Sequence, residues 1–279
     1  MYTDTIRDLV GTGQQKVSAM RENWFGFFAG AMMAGAYIGF GDIIMFSVSA
    51  HIDPTWIRLV SGAVFSAALT IVVFAGSELF TGSTMYMTMA ALSRRSSCSD
   101  VLLVWVVTWL GNLVGAVMLA ALLKAAGGGV LLNDGKDHFF AAVQTKISAP
   151  GVELIAKGIL CNWLVCLAIW MCNRTSESAA KLALIFWPVT IFVSAGFEHS
   201  VANMFTFAMA LMAGDAPISL FGAARSLLWV TFGNIVGGGL FVAFGYWIQE
   251  HGIGHEGHAK PPPLSTASAG GVDRDPPSV

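Results

Sequence analysis

Long apolar stretches separated by short polar loops dominate this sequence. A helix that crosses a bilayer needs about 20 consecutive, mostly apolar residues. Six segments meet this requirement, namely residues 24–50, 57–92, 101–123, 153–172, 179–213 and 226–249. Segments 57–92 and 179–213 are too long for one straight span. The pattern predicts an all-α polytopic membrane protein with six spans.

Polar sequence precedes and follows the six segments. The first 23 residues mix charged positions with apolar ones near helical spacing, which are Ile6, Leu9, Val10, Val17 and Met20. This spacing favours an amphipathic helix at the membrane surface, with a solvated tail as the alternative. Residues 250–279 are polar and proline-rich, which predicts a disordered tail. The expected organisation is a segment 1–23, a channel domain 24–249 and a tail 250–279.

The two overlong segments are each interrupted near the middle by glycine and polar residues. The second contains GSELFTG at 76–82, and the fifth contains GFEHSVAN at 196–203. Backbone groups in hydrocarbon must be hydrogen-bonded internally, so non-helical backbone persists only beside protein or a water-filled cavity. The interruptions therefore predict broken second and fifth helices that border a pathway.

The sequence also repeats itself. GNLVG at 111–115 is echoed by GNIVG 122 residues later, and Glu78 and Glu198 are 120 residues apart. A unit of three spans reverses direction in the membrane, so its second copy is inverted. Inverted repeats with interrupted helices are typical of transport proteins with a site near the bilayer midplane.

Composition agrees with a membrane protein and excludes several functional classes. Hydrophobic residues make up 55% and charged residues 11%, with a net charge of −2. Soluble domains carry about 25% charged residues, and nothing here favours nucleic-acid binding. The four cysteines show no metal or disulfide spacing, and no nucleotide-binding motif indicates a cofactor or ATP-driven transport. With the N-terminus inside, nine Lys and Arg residues face inward and six outward, which favours cytoplasmic termini.

Two residues at the interruptions are the main candidates for chemistry. His199 lies inside a span beside Glu198. Ionisable groups in membranes are costly, and imidazole can pass a proton near neutral pH. The alternative is a structural histidine that bonds the broken backbone. Thr81 either caps a half-helix at 83–92 or contributes its hydroxyl to the pathway. Half-helix N-termini that meet at the midplane would favour an anion.

Other polar residues within or beside the spans have two possible roles. The asparagines either line the pathway or bond neighbouring helices, and they are Asn112, Asn162, Asn203 and Asn234. Lys146 and Lys157 border the outer end of the fourth span, where they either attract anions or extend to the interface. Asp42 lies near the outer end of the first span and is expected at the mouth or interface.

The motifs resemble the formate/nitrite transporter family. The resemblance rests on GSELFTG (76–82), TWLGNLVG (108–115), KGILCNWLVCLAIWM (157–171), GFEHSVANM (196–204) and LLWVTFGNIVGGG (227–239). It covers nearly the whole chain outside the two tails and parts of the outer loops. The CNWLVC run, the LLWVTFGN stretch and the N-terminal YTDTI resemble the bacterial nitrite channel branch.

The resemblance implies an aquaporin-like protomer, five copies of which surround a central axis, each with its own pore. It places the pathway at His199, Thr81, Lys146, Asn162, Glu198, Asn203 and Asn234. It places the apolar constrictions at Phe65 and Phe192 on one side and at Leu69, Leu79, Phe80 and Val165 on the other. Asp42 departs from the family pattern, in which an apolar or hydroxyl residue is expected.

The implied function is passive or proton-coupled transport of nitrite across the bacterial inner membrane. Formate, hydrosulfide or another weak-acid anion is the alternative cargo. A neutral-solute channel would typically carry two Asn-Pro-Ala signatures, and the sequence has none. We expect His199, hydrogen-bonded to Thr81 between two constrictions, to relay a proton to the anion. The alternative is an unprotonated His199 that only orients it. The expected partners are the anion, protons, the bilayer and the other copies of a homopentamer.

Overall fold

The computed structural model describes residues 1–216 and 218–252, and its long regular elements are all helical. The helices are α1 (Thr3–Glu22), α2 (Trp24–Ser49), α3 (Ile57–Ala75), α4 (Phe80–Leu92), α5 (Cys98–Ala125), α6 (Lys136–Ser148), α7 (Gly151–Cys172), α8 (Ser178–Ser194), α9 (Ser200–Ala213), α10 (Leu220–Val236), a π-helical stretch (Gly237–Phe244) and α11 (Gly245–His251). A short 3₁₀ turn covers Val130–Leu132. The all-α prediction is confirmed.

The helices combine into the six predicted spans. Helices α2, α3, α5 and α7, and the continuous rod from α10 through α11, are long and apolar enough to cross a bilayer. Helices α4, α8 and α9 have 13, 17 and 14 residues. At 1.5 Å per residue, α4 and α9 reach only partway across. Span two is therefore α3 plus α4, and span five is α8 plus α9.

Both long spans are broken where the sequence predicts. The first break follows α3 at Gly76 and ends where α4 begins at Phe80. The second follows α8 and ends where α9 begins at Ser200. Gly76 and Gly196 have positive φ angles of 72° and 75°, a conformation that glycine adopts without steric cost and that terminates helices. Two glycines at matching positions thus set where each helix stops.

Close helix packing relates the two halves of the chain. Helix α2 packs against α5 and α3, and α7 packs correspondingly against α10 and α8. A Cβ atom added at Gly115 would overlap the backbone of Met32, and one added at Gly237 would overlap the backbone of Ile159. These glycines belong to the repeated GNxVG motif, so the motif brings two helix backbones together in each repeat.

Three parts of the described chain differ from the sequence-based expectation. The apolar face of α1 is buried and packs against α4, so protein covers it and neither lipid nor solvent does. Helix α6 occupies the long loop before span four, where no element was predicted. Helix α11 continues to His251, which removes the start of the predicted tail 250–279. Residues 253–279 of that tail lie outside the described residues.

Candidate permeation pathway

His199 joins the two broken spans. It is the residue that precedes α9, and its Nδ1 accepts a hydrogen bond of 3.1 Å from the backbone N–H of Ala202. Its Nε2 lies 3.1 Å from Oγ1 of Thr81 on α4, and the residue is only 4% exposed. Because Nδ1 accepts a hydrogen bond, the neutral ring carries its proton on Nε2, which donates to Thr81. The imidazole therefore connects the second break to the first half-helix.

Thr81 does not cap a half-helix. Helix α4 begins at Phe80, three residues earlier than the expected start at Ser83, and the residue preceding it is Leu79, which forms no side-chain cap. Thr81 is already in the first helical turn, fully buried, with its hydroxyl at His199. The sequence left two roles for Thr81, a helix cap or a hydroxyl in the pathway, and the structure excludes the helix cap.

Asn112 on α5 stabilises the first break. Its Oδ1 accepts a 2.9 Å hydrogen bond from the N–H of Phe80, the first residue of α4. Its Nδ2 donates to the carbonyl oxygens of Ala31 at 2.7 Å and Glu78 at 2.9 Å. One amide side chain thus satisfies backbone groups that a broken helix leaves without partners inside the membrane.

Asn234 on α10 repeats this arrangement at the second break. Its Oδ1 accepts a 2.9 Å bond from the N–H of Ser200, the first residue of α9. Its Nδ2 donates to the carbonyl oxygens of Gly158 at 2.8 Å and Glu198 at 3.1 Å. The predicted pathway residue Asn234 therefore uses its amide on backbone, as Asn112 does.

Each break also carries a Lys–Glu ion pair. Oε2 of Glu198 accepts hydrogen bonds of 2.8 Å from Nζ of Lys146 on α6 and 2.8 Å from Nδ2 of Asn203 on α9. At the first break, Nζ of Lys16 on α1 pairs with Oε2 of Glu78. The sequence pattern did not identify Lys16 as part of the site. The repeat did not locate it, because Lys16 lies 130 residues before Lys146, whereas the repeated motifs are 120 to 122 residues apart.

Asn162 ties α7 to both neighbouring elements. Its Nδ2 has two N–H donors and lies within hydrogen-bond distance of three acceptors, which are the carbonyl oxygen of Thr81 at 3.2 Å, Oγ1 of Thr84 at 2.9 Å and the carbonyl oxygen of Asn234 at 2.6 Å. The residue is fully buried. Its amide nitrogen therefore connects α4, which carries Thr81, to α10.

The six predicted constriction residues belong to one buried apolar cluster: Phe65, Leu69, Leu79, Phe80, Val165 and Phe192. The rings of Phe65 and Phe192 pack edge to face with centroids 6.0 Å apart. Phe192 also stacks over the His199 ring, with centroids 6.1 Å apart. Phe192 thus packs between the imidazole and Phe65.

Two cavities approach this cluster from opposite ends of α3. The first, called the Lys146 cavity, has a volume of about 250 Å³ and is lined by Lys146, Glu198, His199, Phe65, Phe192 and Asp42, among others. The second, the Lys16 cavity, has about 300 Å³ and is lined by Lys16, Glu78, Leu79 and Tyr86, among others. The first reaches Ile57 and the second reaches Val73, so they lie near opposite ends of one membrane-crossing helix.

This fold and this site define a class of protein. Inverted repeats with two broken helices, a cavity near each end and a buried polar contact among apolar side chains are typical of a channel-type transporter. The profile of the formate/nitrite transporter family matches residues 3–248. The chain belongs to the formate/nitrite transporter family.

Known proteins of this class are similar to the chain over most of its length. The nitrite transporter NirC of Escherichia coli (strain K12) is 43% identical over 248 residues, which cover 88% of this chain and 92% of NirC. A solved FNT family ion channel has a TM-score of 0.85 at 42% identity, covering 88% of this chain and 99% of that one. A pentameric formate channel with formate bound has a TM-score of 0.70 at 29% identity, covering 83% and 99%. The predicted family, the fold and a transport function are confirmed.

Proposed function

We propose that the chain transports nitrite through a pore within each protomer, passively or together with protons. The observation that carries the proposal is His199, bonded to Thr81 between the Lys146 cavity and the Lys16 cavity. The 43% identity to a nitrite transporter over most of both chains supports nitrite as the cargo. Formate is the second candidate, because a formate channel has the same fold.

Electrostatics explains why such a path would take a small anion. An anion that leaves water for an apolar cluster loses hydration, and this cost must be offset. The Lys146 and Lys16 ammonium groups face the two cavities, and the N-terminal ends of α4 and α9 add partial positive charge. Between them, the Nε2–H of His199 is a donor available to a passing anion that displaces Thr81. A small anion with oxygen acceptors fits these donors.

The Ala202 contact bears on the role of His199. An imidazolium needs a proton on Nδ1, and in the structure this atom accepts the backbone N–H of Ala202. The contact favours a neutral ring that donates a hydrogen bond and orients the anion. A proton relay through His199 stays a prediction, and it requires the Ala202 hydrogen bond to open during transport.

We further propose a homopentamer in the bacterial inner membrane with both termini in the cytoplasm. The Lys16 cavity then faces the cytoplasm and the Lys146 cavity faces outward. Large apolar side chains remain exposed on the described protomer, including Leu102, Leu122 and Leu228 at 60%, 65% and 68%. Lipid or neighbouring copies must cover such a surface. In this orientation the docked helix α1 of segment 1–23 lies on the cytoplasmic side, and residues 24–249 form the channel domain, whose last helix continues to His251.

Purified protein in liposomes tests the cargo directly. Nitrite, formate and hydrosulfide fluxes are measured at several pH values, with protein-free liposomes as the control. We expect nitrite to be transported and to compete with formate. Glycerol permeability above the control, without anion flux, would instead indicate a neutral-solute channel. Clamping the membrane potential and collapsing the proton gradient separately distinguishes passive flux from proton coupling.

A further inference from the structure

Asp42 is a buried carboxyl group without a part in the proposed transport path. It lies on α2, is only 2% exposed, and lines the Lys146 cavity together with His199. Its Oδ2 accepts a long hydrogen bond of 3.4 Å from Oγ1 of Thr206 on α9. Among residues 1–216 and 218–252, no Lys, Arg or His forms an ion pair with it. A carboxyl group in this position is unexpected beside an anion path.

Charged and titratable groups reach the same cavity from the elements around Asp42. They are Lys146 and His138 on α6, Glu198 and His199 at the second break, and Arg58 near the start of α3. Lys146 is already paired with Glu198 at 2.8 Å. Burial lowers the pKa of His138, so its ring adds no positive charge at neutral pH. Arg58 is exposed, and solvent weakens its field.

The protonation state of Asp42 therefore decides the charge that an entering anion meets. If Asp42 is ionised, two carboxylates face one partly buried ammonium group, and the anion becomes a third negative charge. An ionised carboxylate that is buried with one long hydrogen bond is also poorly stabilised. A protonated carboxyl removes this repulsion and offers an O–H donor.

We propose that Asp42 is a specificity-determining residue of the Lys146 cavity that admits an anion only when its carboxyl is protonated. The O–H group of the neutral form donates a hydrogen bond to the anion, and the ionised form repels it. The proton comes from water on that face and stays on Asp42 as the anion passes, so no net proton transfer is needed. The inference rests on the proposed anion transport through this cavity.

The variant Asp42→Asn tests the inference, because the amide has the size of the carboxyl, keeps a donor and cannot ionise. Anion flux in liposomes is measured from acidic to neutral pH. We expect the variant to exceed the wild type about tenfold at neutral pH, a change that corresponds to about 1.4 kcal/mol. The two should converge under acidic conditions, so the pH profile of the variant is flatter.

Asp137→Asn is the matched control, since Asp137 is an exposed carboxylate on the same side of the protein. It should behave as the wild type does. An Asp42→Asn variant with wild-type flux and pH profile, or with lower flux at every pH, would overturn the inference while leaving anion transport intact. If Asp42→Asn does not fold, Asp42→Ser carries the same expectation.

Infrared difference spectroscopy gives a test that does not depend on transport. A protonated carboxyl band should be present in the wild-type protein, titrate with pH and be absent from Asp42→Asn. Failure to find that band at any pH would overturn the inference, whether or not the wild type conducts. A wild type that shows the band and conducts no anion would count against the proposed function alone.

Discussion

The first and second breaks are built from the same supporting contacts and differ in the residue that precedes the half-helix. Each has a glycine with positive φ, a glutamate paired with a lysine from a preceding helix, and an asparagine amide at the start of the half-helix. The residue that precedes the half-helix is Leu79 in the first break and His199 in the second. The glycine, the Lys–Glu pair and the asparagine amide therefore occur at both breaks, whereas the imidazole occurs only at the second.

The difference separates architecture from candidate chemistry. Features present in both breaks, such as the Asn112 and Asn234 contacts, are needed by any helix that stops inside a membrane. His199 goes beyond this support: it caps α9 through Nδ1 and also contacts Thr81, whereas the first half-helix begins at Leu79 without a side-chain cap. Thr81 likewise has Val201 as its counterpart 120 residues later. The His199–Thr81 contact is therefore the asymmetric part of a symmetric frame.

The largest effect is expected from removing the asparagine side-chain amide that each break contains. Asn112→Ala and Asn234→Ala should each lower the free energy of unfolding by about 3 kcal/mol, because buried backbone groups left without partners cost about 1–3 kcal/mol each. Thermal or denaturant unfolding in detergent measures the loss. Asn173→Ala, which removes a hydrogen bond to the carbonyl oxygen of Ile169 at the end of α7, outside both breaks, is the milder control. Strongly unequal losses in the two asparagine variants would contradict the equivalence of the breaks.

His199→Leu makes the second break like the first. We expect anion flux to fall at least about tenfold, or about 1.4 kcal/mol in barrier height, with the fold retained. The leucine removes the central donor and leaves the apolar cluster continuous. Flux in liposomes is compared with that of His51→Leu, which alters an exposed histidine. Unchanged, still pH-dependent flux in His199→Leu would rule out a role for the imidazole.

Thr81→Val imposes the residue found at the counterpart position. The loss of one buried hydrogen bond to His199 should lower the free energy of unfolding by about 1 kcal/mol. Thr81→Ser keeps the hydroxyl and should retain most of the stability. A double-mutant cycle with His199→Leu isolates the pair, because contacting residues show non-additive effects. Additive losses in the free energy of unfolding would mean that the two side chains do not interact in the folded protein.

The smallest effect is expected from neutralising the ion pairs. The double variants Lys16→Gln/Glu78→Gln and Lys146→Gln/Glu198→Gln remove both charges, so no unpaired buried charge remains. Each should raise the half-saturating anion concentration about threefold, since the cavity loses its local cation. Lys136→Gln, on the exposed Lys136–Asp215 pair, is the control. An effect from only one of the two double variants would show that the cavities are not equivalent.

Several elements were predictable because their causes are local in the sequence. The lengths of the apolar stretches predicted the six spans, and glycine with polar neighbours predicted both breaks. Helix α1 was recognised as amphipathic, but its position was not, because lipid and a protein surface both cover an apolar face. Its docking on α4 brings Lys16 to Glu78, 62 residues away. Helix α6 was not predicted, because its apolar run FFAAV is only five residues long and polar residues flank it on both sides.

The candidate site also combines residues that were predictable from the sequence with contacts that depend on tertiary packing. The resemblance to the family brought His199, Thr81 and Lys146 into the candidate set, and the structure places them around one cavity and one contact. The start of α4 was misplaced by three residues, because the side chain that satisfies its first N–H is Asn112, 32 residues further along. Asp42 was expected at the mouth or the interface, and it lines the Lys146 cavity, where packing of α2 against α9 leaves it only 2% exposed.

By itself, the sequence determined that the chain crosses the membrane six times, with its second and fifth helices interrupted and its halves inverted. These properties depend on hydrophobic length and on glycine, which act within a few residues. Only the tertiary structure decided which polar groups meet: Thr81 with His199, 118 residues away, and the two asparagines with the two breaks. Such contacts depend on the rotation and depth of whole helices, which are set by packing over the entire protomer.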